Sequence, residues 1–431
     1  MVRFLLASLA LAFALGASAQ SGSGPALDAR IEAVLPNVVE YRRHVHENPE
    51  LSNRETETAA YVADHLARLG IEVRTGVART GVVGTLRGAS PGPTVALRAD
   101  MDALPVTEQV DLPFASTVRT VYNGLDVGVM HACGHDAHVG ILMGVAEVLA
   151  PMRDELAGTV VFLFQPAEEG APAGEAPAGA EQMVAEGALD GVDAVFGLHV
   201  TSSFEVGDLK TTPGAMMASA DDLRIVVRGK QTHGAYPWGG VDPIATSALI
   251  VNGLQTIVSR QLDLTRAPAV VTIGRIDGGV RSNIIPDSVL MVGTIRSLDA
   301  DMRAELHTRI RRTVTQIAES QGATAEVSIA GEYGYPVTSN DAALLRRMAP
   351  TLERVAGAGF DAEVAPVLGA EDFSYYAREV PGVFLWLGIR TPGASREAFP
   401  PNHSPLFRID EAALPLGVRA LTELALDYLQ S

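Results

Sequence analysis

Short apolar runs alternate along the chain with segments whose apolar residues recur at helical spacing. Residues 139–149 show the helical spacing and predict a helix. The run at 159–164 is rich in β-branched and aromatic residues, which suits a strand buried on both faces of a sheet. Strands that alternate with helices predict an α/β domain with a mostly parallel sheet. The predicted strands of this domain are residues 94–97, 159–164, 194–198 and 383–387.

The pattern changes between residues 212 and 332. Strand and helix patterns follow one another there in the order β-α-β-β-α-β, which is the order of a ferredoxin-like module. Asp242 and Pro243 are suited to the N-cap and the first position of its first helix. We predict that this module is inserted into a larger domain made of residues 20–211 and 333–431. Its predicted strands are 222–227, 269–276, 288–297 and 325–329, and its predicted helices are 242–260 and 301–320.

Several side chains with carboxylate or imidazole groups follow the ends of predicted strands. They are Asp100, Glu168, Glu169 and His199. In open α/β sheets, ligands bind outside the carboxyl ends of the strands. The sequence therefore predicts a binding or catalytic site at this edge of the sheet.

Glu168 and Glu169 are adjacent in a segment that we expect to be extended, where neighbouring side chains point to opposite sides. One carboxylate can then bind a metal ion while the other faces a water molecule as a general base. The alternative is a pair of solvated surface carboxylates, which the Gly-, Ala- and Pro-rich segment at 170–180 could carry. The buried strand that leads directly into the pair favours the functional interpretation.

Cys133 is the only cysteine of the chain, in the His-rich sequence HACGHD at 131–136. A thiol between two imidazoles offers the donors that zinc prefers, and coordination would keep it deprotonated. The alternative is a small buried core residue, which is common for a free cysteine. His199 and His403 are each weak candidates as metal ligands, but they become stronger candidates when they are considered together with Cys133, His135 and the Glu pair. The remaining histidines expected at the surface or in caps are His44, His46, His65 and His307.

The N-terminus resembles a secretion signal, with Arg3, an apolar stretch at 4–16 and the small residues Ala17-Ser18-Ala19. We expect residues 1–19 to be removed and the protein to be secreted to the periplasm; an uncleaved anchor is the alternative. No apolar stretch of about 18 residues follows, so we expect no membrane association after cleavage. The net charge of −18 argues against nucleic acid as a partner.

The ordered set of motifs resembles the M20 metallopeptidase-clan amidohydrolases, in the subgroup with hippurate hydrolases, bacterial N-acyl-amino-acid amidohydrolases and plant auxin-conjugate hydrolases. The resemblance covers almost the whole mature chain. It implies an α/β metallohydrolase domain with the module at 212–332 inserted as a lid and dimerisation domain. The matching motifs are RRHVHENPE at 42–50, LRADMDALP at 97–105, MHACGHDAH at 130–138, FQPAEE at 164–169, GLH at 197–199, NIIPD at 283–287, GAEDF at 369–373 and NHSP at 402–405.

The resemblance implies a binuclear metal site, in which Cys133 stands where most of the clan has a bridging aspartate. Glu168 would act as general base and then general acid, and Asp100 would help to orient the site. Thiolate and imidazole donors favour two zinc ions, with manganese, nickel or cobalt as alternatives. The ligands implied by motif match are Cys133, His135, Glu169, His199 and His403.

Further roles are implied for the inserted module. His233 matches a lid histidine that polarises the scissile carbonyl, often in the site of a partner subunit, so we expect a homodimer or higher homo-oligomer. Asn283 matches a substrate contact, and Arg296 is a weaker candidate for holding a substrate carboxylate. The chain departs from the usual family pattern around His233 and in the longer segment at 170–180, and both changes could reshape the acyl pocket.

We therefore predict a metal-dependent amidohydrolase that cleaves the amide bond of an N-acyl amino acid or a similar small conjugate. One alternative is a metallo-di- or carboxypeptidase that acts on short peptides. An alternative of another class is a non-catalytic periplasmic binding protein that keeps only this fold. The intact Glu168, Glu169 and ligand set disfavours the binding protein.

Overall fold

The structure, a computed structural model, describes residues 24–177 and 179–430, so the predicted signal at 1–19 lies outside the described residues. Within the described residues, no helix has both the length and the apolar character needed to cross a membrane. The α-helices found there are α1 (Pro25–Glu47), α2 (Thr56–Arg68), α3 (His135–Leu149), α4 (Gly179–Ala185), α5 (Pro243–Gln261), α6 (Ala300–Ser320), α7 (Ala342–Ala356), α8 (Phe373–Glu379) and α9 (Leu414–Leu429).

The strands belong to two main sheets and to three short two-stranded pairs. In chain order they are β1 (Glu72–Val77), β2 (Gly81–Arg87), β3 (Ser90–Asp100), β4 (Arg119–Tyr122), β5 (Leu125–Gly128), β6 (Ala157–Gln165), β7 (Ala194–Glu205), β8 (Leu209–Lys210), β9 (Gly214–Met217), β10 (Ser219–Arg228), β11 (Thr232–His233), β12 (Ala269–Gly278), β13 (Ile284–Ile285), β14 (Ser288–Ser297), β15 (Thr324–Tyr335), β16 (Thr338–Asn340), β17 (Phe360–Asp361) and β18 (Gly382–Arg390).

The larger sheet has the strand order β1-β2-β6-β3-β7-β18-β8-β17. Its central strands β6, β3, β7 and β18 run parallel, and Leu97 of β3 lies opposite Phe162 on one side and Phe196 on the other. Side chains from α1, α3 and α9 cover one face, and side chains from α4 and α8 cover the other. Because both faces are buried, the central strands are continuously apolar. The predicted mostly parallel α/β sheet is confirmed.

The smaller sheet is entirely antiparallel, with the order β12-β14-β10-β15. Its elements follow the β-α-β-β-α-β order that the sequence indicates, and α5 and α6 enclose its apolar core. The Asp242 side chain caps α5 by accepting hydrogen bonds from the N–H groups of Ile244 and Ala245, at 2.9 and 3.1 Å. The other face of the sheet carries Asp222 and Arg296, which line two cavities next to the larger sheet.

Two local expectations were wrong. His199 lies inside β7 rather than after it, because β7 continues to pair with β18 beyond the predicted end, with Val200 opposite Leu387. His46 and His65 are buried rather than exposed, because their helices pack against α3. Only the pairing with the neighbouring strand β18 shows that the extended conformation persists beyond residue 198.

Candidate functional site

A tight loop before α3 places Cys133 and His135 beside each other. Gly134 between them has φ +102, and a Cβ atom there would lie 2.3 Å from the Val200 side chain. A left-handed backbone and this close approach both require glycine. His135 is the first residue of α3, and its Nδ1 lies 3.2 Å from the carboxylate of Asp102. Its buried Nε2 has no hydrogen-bond partner among the described residues.

The five implied ligands come together around the thiol of Cys133. Its Sγ lies 3.3 Å from His199 Nε2 and 3.3 Å from His403 Nε2, and the latter nitrogen is 3.1 Å from Glu169 Oε1. The donor atoms form two groups, and within each group they lie within 4.8 Å of one another. One group contains Cys133, His135 and His199, and the other contains Cys133, Glu169 and His403. Cys133 is therefore shared by both groups.

The protonation preferences of this cluster match a site for cations. Burial raises the pKa of the Cys133 thiol well above its usual value, and the carboxylates of Glu169 and Glu168 raise it further. Burial opposes the charge on His135, but Asp100 and Asp102 outweigh it and raise the pKa of His135 to about 10. A divalent cation among these donors would reverse both effects, since a coordinated thiol is deprotonated. The unpartnered Nε2 of His135 and the shared thiol fit such an ion.

His199 presents a defined lone pair to the site. Its Nδ1 donates a hydrogen bond to the backbone carbonyl of Val200 at 2.8 Å. Burial lowers the pKa of His199 well below its usual value, and the nearby ring of His138 adds to the effect. The ring is therefore neutral with its proton on Nδ1, so Nε2 is the free donor atom, as a metal ligand requires.

Glu168 and Glu169 lie in a turn after β6 rather than in the extended segment that we expected. The turn is fixed because the carboxylate of Asp102 accepts the N–H groups of Glu168 and Glu169 at 3.1 and 3.0 Å. The Glu168 carboxylate lies 3.9 Å from His135 Nε2, whereas Glu169 approaches His403. The two side chains still reach different parts of the site. The geometry of the turn separates them, and not the alternation of side chains along a strand.

The Glu168 carboxyl group can hold a proton. Burial raises its pKa well above the usual value, and the carboxylates of Glu371 and Glu169 raise it further. Oxygen atoms of Glu168, Glu371 and Asp372 lie within 4.8 Å of one another. A buried carboxyl group of this kind can take up a proton and release it again, which is the property of a general acid–base residue.

Asp100 and Asp102 have different partners. Asp100 Oδ1 accepts a hydrogen bond from His138 Nδ1 at 2.5 Å, and its Oδ2 accepts one from Arg98 at 2.7 Å. Asp102 is the residue that contacts His135 Nδ1 and fixes the Glu turn. The sequence pointed to Asp100 alone for orienting the site, and it missed Asp102 two residues later in the same motif.

A buried network behind the site was also missed. The guanidinium of Arg98 donates hydrogen bonds to Asp100, Glu371 and Asp372 at 2.7 to 3.0 Å, and to Gln165 at 2.8 Å. Arg98 has no exposed surface in its side chain. The motifs LRADMDALP, FQPAEE and GAEDF contain these residues, so the signal was present, but the sequence alone does not pair segments so far apart.

A cavity of about 430 Å³ opens directly onto the donors. The side chain of Arg296 from β14 lines it, half-buried, and forms no hydrogen bond or ion pair with any described residue. The ring of Trp386 packs edge-on to His199 at a centroid distance of 5.5 Å. The cavity therefore combines an available cation with apolar surface next to the donor cluster. Its apolar lining includes Phe204, Met217, Val367 and Trp386.

His233 and Asn283 lie together, but outside this cavity. They lie at the two-stranded pair of β11 and β13, where the N–H of Gly234 donates to the carbonyl of Asn283 at 2.9 Å. Both side chains are exposed on the inserted module. Neither is among the described residues that line the cavity beside Cys133. The structure thus brings Arg296 to the donors within one chain, but not His233 or Asn283.

The α/β fold and the buried cluster of thiol, imidazole and carboxylate groups define a metal-dependent hydrolase. Residues 96–427 match the model of peptidase family M20/M25/M40, and the chain belongs to this family. The implied family is thereby confirmed.

Proteins similar to the chain over nearly its whole length include a carboxypeptidase, a deacetylase and an M20 peptidase of known structure. It is 43% identical to thermostable carboxypeptidase 2 of Saccharolobus solfataricus, over 91% of this chain and 95% of that protein. It is 38% identical to an N-acetylcysteine deacetylase of Bacillus subtilis, over 93% and 99%. A crystal structure described as a dinuclear metal-binding peptidase of the M20 family, also from Bacillus subtilis, superposes with a TM-score of 0.75 at 36% identity, over 93% and 99%. The protein is a metal-dependent amidohydrolase, as its motifs implied.

Proposed function

We propose that this amidohydrolase cleaves the amide bond of N-acyl amino acids. The observation that carries the proposal is the position of Glu168, whose buried carboxylate lies 3.9 Å from His135 Nε2 at the edge of a cavity that contains the available cation of Arg296. A carboxylate-bearing substrate held by Arg296 would place its amide bond beside both Glu168 and the metal donors.

Two divalent ions would be held by the two donor groups that share Cys133. Thiolate and imidazole donors favour zinc, and manganese, nickel and cobalt are the other candidates. When bound, such ions polarise a carbonyl group and lower the pKa of water. With the ions bound, His135, His199 and His403 would supply neutral nitrogen donors, and Glu169 would supply an oxygen donor.

Glu168 would move the proton in this reaction. Its carboxylate accepts a proton from the attacking water, and its carboxyl group then donates that proton to the leaving amine nitrogen. Burial and the neighbouring Glu371 favour the protonated form between these two steps. The hydrogen bonds from the Glu168 and Glu169 N–H groups to Asp102 keep the carboxylate in place.

Arg296 would recognise the carboxylate of the amino-acid half. Its guanidinium is half-buried and unpaired within the described residues, so a substrate carboxylate gains a partner without displacing another. The same contact would hold the C-terminus of a short peptide, and a relative named as a carboxypeptidase makes a peptidase the second candidate. Rates of hydrolysis of N-acyl amino acids and of dipeptides separate the two functions.

The proposal is tested with metal-loaded wild type and three variants on N-acetyl amino acids, N-benzoyl amino acids and dipeptides. Glu168→Gln should retain its metal and lose about 10²–10⁴-fold in turnover, the range of general acid–base catalysis. Glu169→Gln should lose metal, and Glu72→Gln, at an exposed site on β1, serves as the control. Hydrolysis of dipeptides alone would show that the substrates are short peptides and not N-acyl amino acids. A fully active Glu168→Gln enzyme would contradict the assigned base.

We also propose that His233 acts in the site of a second subunit. In its own chain His233 lies on the surface, and the exposed apolar side chains of Tyr236 and Trp238 are next to it. An exposed apolar patch around a polar residue is typical of an interface. His233→Ala should then lower turnover by about 10²–10³-fold, as for one lost oxyanion donor.

Mixing His233→Ala with Glu168→Gln tests whether the site is completed across a dimer. In a mixed dimer one of the two sites would contain both intact groups, so activity should reappear after subunit exchange. No recovery after verified exchange would place His233 in its own chain's site.

Finally, we propose that the protein is exported to the periplasm and that residues 1–19 are removed. The support is the order of charged, apolar and small residues at the N-terminus. Fractionation of expressing cells and N-terminal sequencing of the purified protein test this directly. An intact N-terminus in the membrane fraction would favour the anchor.

A further inference from the structure

A second cavity meets the site from the other side of Glu169. It has a volume of about 600 Å³, and Glu169 lines both this cavity and the one that contains Arg296. Its walls come from the segment at 170–176, from the hairpin of β4 and β5, and from Asp222 of the inserted module. The two cavities therefore extend in different directions from one metal-binding carboxylate.

One wall of this second cavity is held by an ion pair. Glu175 accepts hydrogen bonds from the guanidinium of Arg54 at 2.7 and 3.1 Å and from the side chain of Asn53 at 3.1 Å. Apart from Glu175, the segment at 170–176 consists of glycine, alanine and proline, which offer few side-chain atoms for contacts. The pair of Arg54 and Glu175 thus anchors this wall to the loop before α2.

The charges of the two cavities differ. The first contains Arg296, which has no partner among the described residues. In the second, the cation of Arg54 is already paired with Glu175. A substrate carboxylate therefore finds an unpaired cation in the first cavity and none among the described residues that line the second. An amide substrate with its carboxylate at Arg296 has to extend its other half past Glu169.

We propose that the second cavity receives the acyl half of the substrate and that Arg54 with Glu175 sets the size of acyl group it accepts. This inference rests on the proposed hydrolysis of N-acyl amino acids. The cavity is far larger than an acetyl group, and apolar side chains stand among the polar ones in its lining, so it has room and apolar contacts for an uncharged acyl group of several carbons. The apolar side chains that line it include Leu51, Leu104, Pro105, Val121 and Pro172.

Two substitutions that narrow the cavity from opposite walls test its assignment. Thr120→Trp lies on the hairpin, and Ala173→Trp lies on the opposing segment. The rates kcat/KM are measured on acetyl, butanoyl, octanoyl and benzoyl derivatives of one amino acid, and on N-acetyl derivatives of alanine and phenylalanine. Both variants should lower the octanoyl-to-acetyl ratio by about 10-fold or more, the scale of pocket discrimination. The alanine-to-phenylalanine ratio should not change.

Glu175→Ala tests the ion pair, because it releases the wall and should raise the octanoyl-to-acetyl ratio. Arg87→Ala, which breaks an exposed ion pair with Glu72 elsewhere in the same domain, is the matched control. An unchanged acyl ratio in both tryptophan variants, or a change in the amino-acid ratio instead, would overturn the cavity assignment. An unchanged acyl ratio in Glu175→Ala would overturn the role of the ion pair.

Failure of the proposed function is seen separately, as the absence of wild-type activity on every N-acyl amino acid. If dipeptides alone are cleaved, the same variants are compared on dipeptides whose N-terminal residue increases in size, and the ratios test the cavity in the same way.

Discussion

The hydroxyl group of Tyr335 donates a hydrogen bond to the backbone carbonyl of Glu168 at 2.5 Å. Tyr335 is the last residue of β15, in the smaller sheet, whereas Glu168 belongs to the turn after β6 of the larger sheet. Asp102 accepts the N–H groups of the same turn. The turn that carries the base is therefore held through its N–H groups by Asp102, which follows β3 of the larger sheet, and through its carbonyl group by the last strand of the smaller sheet.

Tyr335→Phe should lower kcat by roughly 5- to 10-fold with little change in KM, because one hydrogen bond contributes about 1 kcal/mol and the substrate contacts at Arg296 remain. Steady-state kinetics and metal analysis of the purified variant give the result. Tyr61→Phe removes a hydroxyl group from α2 and is the control. A rise in KM at constant kcat would show that Tyr335 affects substrate binding instead of the position of Glu168.

Asp102→Asn should weaken metal binding by about 10- to 100-fold, the usual effect of losing a residue that orients a ligand. The amide cannot accept hydrogen bonds at both of its polar atoms, so it cannot serve His135 Nδ1 and both N–H groups of the Glu turn as the carboxylate does. Competition with a chelator measures the affinity. Ser52→Ala removes only the hydroxyl donor to Asp102 and should retain most of the affinity. Equal affinities of Asp102→Asn and wild type would contradict the orienting role.

Cys133→Ser should reduce the content of both metal ions, because the thiol belongs to both donor groups. His199→Gln should reduce the content of one ion, since His199 belongs to a single group. Elemental analysis of protein purified without chelators distinguishes about two, one and no ions per chain. Full loading of Cys133→Ser would exclude the shared ligand.

Cys133 and the Glu pair could be singled out from the sequence because their chemistry is local: a thiol lies between two imidazoles, and two carboxylates follow a buried strand. The full set of candidate donors, with His199 and His403, came from the resemblance to the family. Asp102 was missed because Asp100 and Asp102 stand on the same side of one segment, and only the distances to His135 and His138 separate their roles. The parallel sheet could be predicted for a similar reason, since burial on both faces leaves continuous apolar runs.

What the sequence could not supply was the pairing of distant segments. The end of β7 depends on its partner β18, and the burial of His46 depends on how α1 meets α3. Arg98 meets Glu371 across 273 positions of the chain. Such contacts are set by the packing of elements against each other, and the hydrophobic pattern of a single segment carries no information about its neighbour.

The free energy of unfolding should depend on pH through His46, a buried residue that we had expected at the surface. Its Nδ1 lies 2.9 Å from the carboxylate of Asp136 and its Nε2 lies 3.1 Å from Glu108. Burial opposes the charge on His46, but Asp136 and Glu108 outweigh it and raise its pKa to about 9. In the unfolded chain the pKa of histidine is about 6.5. The folded state therefore binds the proton more tightly than the unfolded state.

The direction of the pH dependence follows from this difference in pKa between the folded and unfolded states. Below about pH 6.5 the ring is charged in both states and the stabilisation is fully present; it decreases as the pH rises and is lost above about pH 9. His46→Gln keeps a hydrogen-bonding side chain without a titrating proton. The difference in urea unfolding free energy between wild type and His46→Gln should therefore shrink by on the order of 3 kcal/mol between pH 6.5 and 9.5. A difference that stays constant over this range would show that His46 is not charged in the folded protein.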